Sequence, residues 1–320
     1  MRISIVTLAL DSPQYLDEAI HSVPVRGRFE LEHLIVHDGD EACRNEIERR
    51  HPQITVLRGD GTGATSAAAR GIDATTGDFI LLLHSDDRLG PDALGRLVDC
   101  AAARPDVRIW TGGARIFCTL ADGREQTVRL LLSRDLNEMS LGNVCDDLPL
   151  LSARFCHRSV YAEIGNFNLA YSESSDREFL LRAVMAGIVE APLDVVVSEM
   201  RFHDGSRTIH RRSGWVPPYL AEHVRLAGAW LKRPDIETPV RRFLKNWQAR
   251  ELLRLIVYQC RAGQWRAAAG SLRRTELQNP LWIFRIATVL TALKRRARGQ
   301  VLDEVLDEVL DMNTSRRDGV

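Results

Sequence analysis

Through its first hundred residues the chain alternates two hydrophobic patterns. Short runs at 3–8 (ISIVTL), 31–36, 54–57 and 79–83 read as strands, the first and last of them apolar on both faces. Between them apolar residues recur at helical spacing. Tyr15, Leu16, Ala19, Ile20 and Val23 follow Ser12-Pro13, which supplies an N-cap and an N1 proline. The alanine-rich stretch from Thr65 to Ala74 is a second helix, and Pro91 opens a third that runs through Ala103. This alternation predicts an α/β fold with a mostly parallel, doubly wound sheet. In such sheets ligands sit beyond the carboxyl ends of the strands. Here those ends carry Thr7, His37-Asp38-Gly39, the turn GDGTGA (59–64) and His84-Ser85-Asp86-Asp87.

Further along, strands are expected near 108–118 and 126–132, then a loop and a short strand near 150–156. Residues 173–187 read as a helix with Phe179, Leu180, Ala183 and Val184 on its buried side and Gly187 as its C′ residue. After 201–214, rich in Arg, His, Gly and Ser, residues 218–299 read as helices joined by short turns. The tail repeats VLDE once, too briefly for a solenoid. The layout is a domain over 1–214 (halves about 1–105 and 106–214), a helical extension over 215–300 and an acidic tail over 301–320.

Composition changes this picture in two places. Forty-three basic and 43 acidic residues cancel overall, yet residues 241–300 carry a net +12 and the last twenty residues a net −4. The basic segment has two readings. One is a helical subdomain whose Arg stems cover apolar surface. The other places residues 280–298, with Trp282, Ile283, Phe284 and Lys294-Arg295-Arg296, on an anionic membrane surface. The six cysteines are widely spaced and form no CxxC pair, so neither a zinc site nor a disulfide framework follows, and a reducing cytoplasm is the default. The N-terminus does not read as a signal peptide, because Asp11 and Pro13 break its apolar stretch, and no run reaches the ~20 apolar residues of a membrane span. The expectation is a cytoplasmic protein, soluble or peripheral at the inner face of the plasma membrane. Nothing points to a nucleic-acid partner.

Adjacent carboxylates just past a buried strand, Asp86 and Asp87, suit a hard divalent cation, Mg2+ or Mn2+, which bridges a carboxylate to substrate phosphates. Taken alone, the pair reads more readily as a cap for the next helix. Its context widens the reading. The opening ISIVTLALDSPQYLDEAIHSV (3–23), the strand and acidic turn ELEHLIVHDGDEA (30–42), the block GATSAAARGIDATTGDFILLLHSDDRLGPDAL (63–94) and IGNFNLAYSESSDREFLLRAVMAG (164–187) resemble, in order and spacing, four elements of the family 2 glycosyltransferases of the GT-A fold.

That resemblance implies an inverting transfer of a sugar from a nucleoside diphosphate, UDP as the first guess, to a hydroxyl of a glycan or lipid-linked acceptor, in surface-polysaccharide assembly. Carried over position by position, it gives Asp38 the nucleobase, Asp86 and Asp87 the cation and ribose-diphosphate, and Asp176 the role of general base. It places Thr7 beside the nucleoside, and Ala68 and Arg70 on the helix under the sugar nucleotide. An inverting reaction needs one carboxylate to accept the acceptor's proton. Asp176 opens a helix whose dipole is expected to keep it ionised, with Glu173 the nearest substitute. His203 is a candidate third metal ligand or diphosphate contact, assisted by Arg201, Arg207 or Arg211; the alternative is a solvated basic loop. Three positions depart from the family pattern: His37 and His84 stand where acidic or amide residues are commoner, and Asn166 replaces the second glycine of a GGF turn.

Two rivals remain at this point. GDGTGA fits the loose dinucleotide fingerprint G-x-G-x-x-[GA], but it follows the third strand and not the first, with no acidic residue properly placed about 20 residues on. A non-catalytic nucleotide-sugar-binding protein predicts that one of Asp86, Asp87 or Asp176 is missing, and all three are present.

Overall fold

The computed structural model describes residues 1–9, 13–120, 122–133, 139–146, 150–203 and 216–276. The Ser12 cap, Arg207 and Arg211, the segment 280–298 and the acidic tail lie outside the described residues. The chain forms two compact units, Met1–Asp204 and Gly205–Val320.

In the first unit, nine strands among the described residues make one sheet ordered β3-β2-β1-β4-β8-β6-β9-β5, with β7 on β6. The strands are β1 (Arg2–Ala9), β2 (Glu30–His37), β3 (Thr55–Arg58), β4 (Phe79–His84), β5 (Arg88–Leu89), β6 (Ile109–Thr119), β7 (Glu125–Leu131), β8 (Arg154–His157) and β9 (Glu190–Phe202). The four strands read from the apolar runs, β3, β2, β1 and β4, are mutually parallel. Beyond β4 the sheet is mixed: β8 is antiparallel to β4 and β6, whereas β9 runs parallel to β6.

Among the described residues seven helices accompany the sheet: α1 (Pro13–Ser22), α2 (Glu41–Arg50), α3 (Ala64–Ala74), α4 (Ala93–Ala103), the shorter α5 (Leu141–Asp146) and α6 (Arg158–Ile164), and α7 (Ser175–Met185). Pleating divides the core. Ile3 and Ile5 of β1 and Phe79, Leu81 and Leu83 of β4 bury with Ala19, Leu94 and Leu97 of α1 and α4. The opposite face of β1 meets α3 so closely that a Cβ at Gly71 would lie 2.3 Å from Val6 Cγ1. Helix α7 ends as expected. Gly187 (φ +68) donates to the Val184 carbonyl and Ile188 to that of Ala183, the paired bonds of a Schellman stop.

The second unit contains α8 (Pro218–Leu231), α9 (Thr238–Arg261) and α10 (Trp265–Glu276). Its core holds charge: Glu251 is fully buried between His223 of α8 (3.0 Å), Arg250 (3.1 Å) and Arg254 (2.9 Å). Burial alone would raise the Glu251 pKa, but the bond from His223 and the Arg254 charge hold it far below the usual carboxylate range. No described helix is long and apolar enough to cross a membrane.

Candidate active site

The parallel strands deliver their loops side by side. Past β3, Gly59 donates to the His37 carbonyl (2.9 Å); past β2, Asp38 donates to that of Ala9 (3.3 Å); past β4, Ser85 donates to that of Leu8 (3.1 Å). The end of β1 is Ala9, and Thr7 is fully buried with its hydroxyl 2.8 Å from His33 Nε2. The hydroxyl expected to approach the nucleoside is therefore spent inside the sheet. Alternation decides this: Thr7 pairs in register with Ile35 and Leu83, well inside the strand.

Asp38 and GDGTGA form one unit. Asp38 Oδ1 accepts from the Gly61 N–H (3.1 Å), and a Cβ at Gly59 would lie 1.7 Å from that oxygen, so only glycine permits the approach. Asp60 accepts from Ser66 (2.5 Å) and Thr62 (2.7 Å), which lowers its pKa to about 2 and anchors the loop to the first turn of α3. These bonds account for the glycine spacing without a dinucleotide. Arg70 lies exposed on α3, with Nη2 donating to the Arg58 carbonyl at the end of β3 (3.0 Å). Ala68 is buried on the same helix.

The acidic turn is met by the end of β9. His203 Nε2 lies 3.1 Å from Asp86 Oδ2, so the fold joins two residues 117 positions apart. Asp87 is buried, with Oδ1 accepting from the Arg201 N–H at 2.9 Å. Burial raises the Asp87 pKa to about 7, aided by the Asp86 charge and opposed by His84 and Arg201. The Arg201 guanidinium does not face the phosphates as anticipated. It is buried, donating to the Asp86 carbonyl (3.3 Å), Thr119 (3.0 Å) and Glu18, and lies between the rings of Tyr15 (4.4 Å) and Phe117 (4.7 Å). Tyr15 in turn packs on the His203 ring (centroids 5.3 Å apart). Arg201 thus braces the turn from behind while His203 and Asp86 point outward.

Asp176 arrives from α7. The residue is half-buried there. Burial raises its pKa, against the opposing charges of His84, Arg154 and Arg177. Desolvation therefore works against the helix dipole expected to favour the ionised form. The Ser174 hydroxyl beside it is buried without a partner among the described residues. His84, exposed at the end of β4, lies close enough to both Asp87 and Asp176 for its charge to lower both their pKa values.

The other two departures also have physical reasons. His37 Nδ1 accepts the Gly39 N–H (3.0 Å) and closes its own turn. Asn166 Nδ2 donates to the Ala69 carbonyl (2.9 Å) and Asp73 (2.8 Å), tying the turn before α7 to α3. Pattern reading passed over Glu18, Thr119 and Arg154, whose roles depend on contacts between distant strands.

A cation fits the donor set at Asp86 and His203. The Asp86 carboxylate oxygen suits Mg2+ or Mn2+, and the His203 imidazole nitrogen favours the transition metal, Mn2+, with substrate phosphate oxygens completing the shell. Among the described residues no three His, Cys, Asp or Glu side chains form a ready-made cage.

Residues 4–149 match the family model described as glycosyl transferase family 2. Two uncharacterised glycosyltransferases, from two strains of Mycobacterium tuberculosis, are each 25% identical over 189 residues, covering 57% of this chain and 69% of theirs. The fold is similar to that of S. aureus TarS (residues 1–349) in complex with UDP-GlcNAc: TM-score 0.62, 14% identity, 95% of this chain and 89% of that one. It is also similar to the mannosyltransferase PcManGT of Pyrobaculum calidifontis in complex with GDP-Man and Mn2+: TM-score 0.51, 15% identity, 96% of this chain and 86% of that one.

Proposed function

Since this chain is a glycosyltransferase carrying the family 2 domain over residues 4–149, we propose that it transfers a sugar with inversion from a nucleoside diphosphate, UDP first, to a hydroxyl acceptor in surface-glycan assembly. The observation that carries the reading is the meeting of His203 with Asp86 at 3.1 Å, beside a buried Asp87, at the carboxyl edge of the parallel strands.

Asp38 and the GDGTGA loop hold the base, with Arg70 at the loop's edge. Asp86, Asp87 and His203 are the residues that would hold a divalent cation, which when bound would supply neutralisation of the charge on a departing diphosphate. Asp176 accepts the proton of the acceptor hydroxyl as that oxygen attacks the anomeric carbon from the face opposite the diphosphate. Its raised pKa strengthens it as a base, provided the working pH keeps it ionised. A glycan or lipid-linked acceptor at the inner face of the plasma membrane, met through residues 280–298, belongs to the same proposal.

The test combines a melting screen of nucleotide sugars, with and without manganese, and turnover of the best donor. Asp176→Asn is expected to lower kcat about 10²- to 10⁴-fold and to leave binding of the nucleoside diphosphate within about twofold of wild type. A screen in which no nucleoside diphosphate raises the melting temperature would sink the reading.

A further inference from the structure

Four charged side chains close a ring beside the acidic turn, and the chemistry above does not use it. Arg88, the residue after Asp87, donates through Nη1 and Nη2 to the two carboxylate oxygens of Glu125 (2.7 and 3.0 Å) and through Nε to Glu199 (3.0 Å). Arg115 meets the same pair, its Nη1 donating to Glu199 (3.0 Å) and its Nη2 to Glu125 (3.2 Å). Each arginine therefore holds both glutamates, and each glutamate both arginines. The four come from four strands, β5, β6, β7 and β9, and their side chains are between 18% and 32% exposed. Against them lies the fully buried ring of Phe117, with the guanidinium carbons of Arg88 and Arg115 at 4.4 and 4.9 Å from its centroid.

Two paths of bonds join this ring to the acidic turn. Arg88 is continuous with the turn along the chain and pairs in register with Glu199. Two residues beyond Glu199, Arg201 donates its N–H to Asp87 (2.9 Å) and its Nε to the Asp86 carbonyl (3.3 Å). Glu18 closes the second path: it accepts from Arg201 and lies 3.7 Å from Arg88 Nη1. His203 follows two residues after Arg201, so the strand that the ring grips is the one that delivers His203 to Asp86. Net stability is a weak reason for partly exposed ion pairs. Planar guanidinium forks that each span two carboxylates instead fix direction and distance.

We propose that Arg88, Glu125, Arg115 and Glu199 act together as positioning residues for the cation site: their ring locks the acidic turn to β9 and so sets the spacing between Asp86 and His203. The inference rests on Asp86 and His203 as residues that would hold the cation. Among the described residues no ready-made cage of three such side chains exists, so the hold depends on how well the few donors are spaced beforehand. Charge alone predicts the opposite behaviour. An arginine beside a metal site repels the metal, so removing Arg88 or Arg115 would by charge alone tighten Mn2+.

The experiment compares the full-length wild type with Arg88→Met, Arg88→Lys, Arg115→Met and His203→Ala. Mn2+ binding in the presence of UDP is followed by electron paramagnetic resonance, and metal-free UDP binding by calorimetry. Arg88→Met is expected to weaken Mn2+ about 10- to 100-fold, as the loss of an outer partner of a metal site does, with metal-free UDP binding within about twofold of wild type. Arg88→Lys keeps the charge but lacks the fork that spans Glu125 and Glu199, so it should also lose about tenfold or more. Arg115→Met opens the ring without altering the chain at the turn and should lose about tenfold.

Mn2+ affinity that is unchanged or tighter in folded Arg88→Met overturns the proposal, as does full recovery in Arg88→Lys, which would mark the effect as one of charge balance. An equal loss of metal-free UDP binding overturns it too, because the ring would then act on the whole edge of the sheet. If circular dichroism shows that Arg88→Met does not fold, Arg115→Met carries the test with the same expected sign. Failure of the underlying assignment looks different: His203→Ala would then bind Mn2+ as the wild type does, which overturns the proposal whatever the ring variants show.

Discussion

Gly59→Ala separates a nucleobase contact from a loop brace. Gly59 does not have a positive φ, so alanine meets no backbone strain there, and its effect comes through the new Cβ. That atom would sit 1.7 Å from Asp38 Oδ1 and 2.8 Å from its Cγ. An ordinary carbon–oxygen contact is about 3.3 Å, so the carboxylate must retreat by roughly 1.6 Å. The retreat breaks the 3.1 Å bond from the Gly61 N–H. Losing that partly exposed bond costs about 1 kcal/mol, which lowers the melting temperature by about 2–4 °C in a protein this size. The same displacement takes Asp38 out of hydrogen-bond reach of a base. A charge-assisted bond lost at that point is worth about 1.5–3 kcal/mol, so UDP should bind about ten- to a hundredfold more weakly. Calorimetric titration with UDP and manganese, beside a melting curve, measures both. Asp38→Ala and the double variant complete the cycle: if both changes act through one carboxylate, their effects fall well short of additive. UDP affinity within twofold of wild type in folded Gly59→Ala would refute the reasoning and leave Asp38 as a brace alone.

Arg201→Met keeps the backbone bond to Asp87 but removes the contacts to the Asp86 carbonyl, Thr119 and Glu18. Manganese binding in the presence of UDP, followed by electron paramagnetic resonance, should weaken about 10- to 100-fold, with metal-free nucleotide binding unchanged. Gly90→Ala puts a Cβ 1.9 Å from the Val196 carbonyl oxygen, a backbone atom that cannot swing away, and calorimetry should find about 1–3 kcal/mol of destabilisation. Glu251→Gln leaves the buried Arg250 and the half-buried Arg254 without their counter-charge and should cost about 3–5 kcal/mol in chemical denaturation. Because the folded-state pKa of Glu251 is depressed, its contribution is present above the unfolded value of about 4.3 and is lost as pH falls through the folded value. Melting of the wild type should therefore drop steeply below pH 4.

The parallel half of the sheet was legible because β1 and β4, buried on both faces, read as unbroken apolar runs, and the strand ends name the loops. Helix α2 was not legible. EACRNEIERR buries no residue, and only its Asp40 cap and its acidic start and basic finish mark it as a helix. Strand β9 hid behind Pro192, which argues against a central strand. The structure places that proline at Thr111, where the pairing with β6 shifts register. The site divides in the same way. Asp38, Asp86 and Asp87 follow from strand ends, whereas the bracing of the acidic turn by Arg201 and Glu18 depends on contacts 183 residues apart. At Asp176 the dipole of the helix is visible in the pattern, whereas the burial that pushes its pKa upward is not.

The meeting of His203 with Asp86 also bears on how the protein comes into being. During synthesis at about 5–20 residues per second, the acidic turn leaves the ribosome on the order of ten seconds before its histidine. The first four strands can pair in that interval, but Asp86 stays without its partner. A truncated chain ending after α4 would thus present the acidic turn alone, and translation past residue 203 is the event that completes the pair.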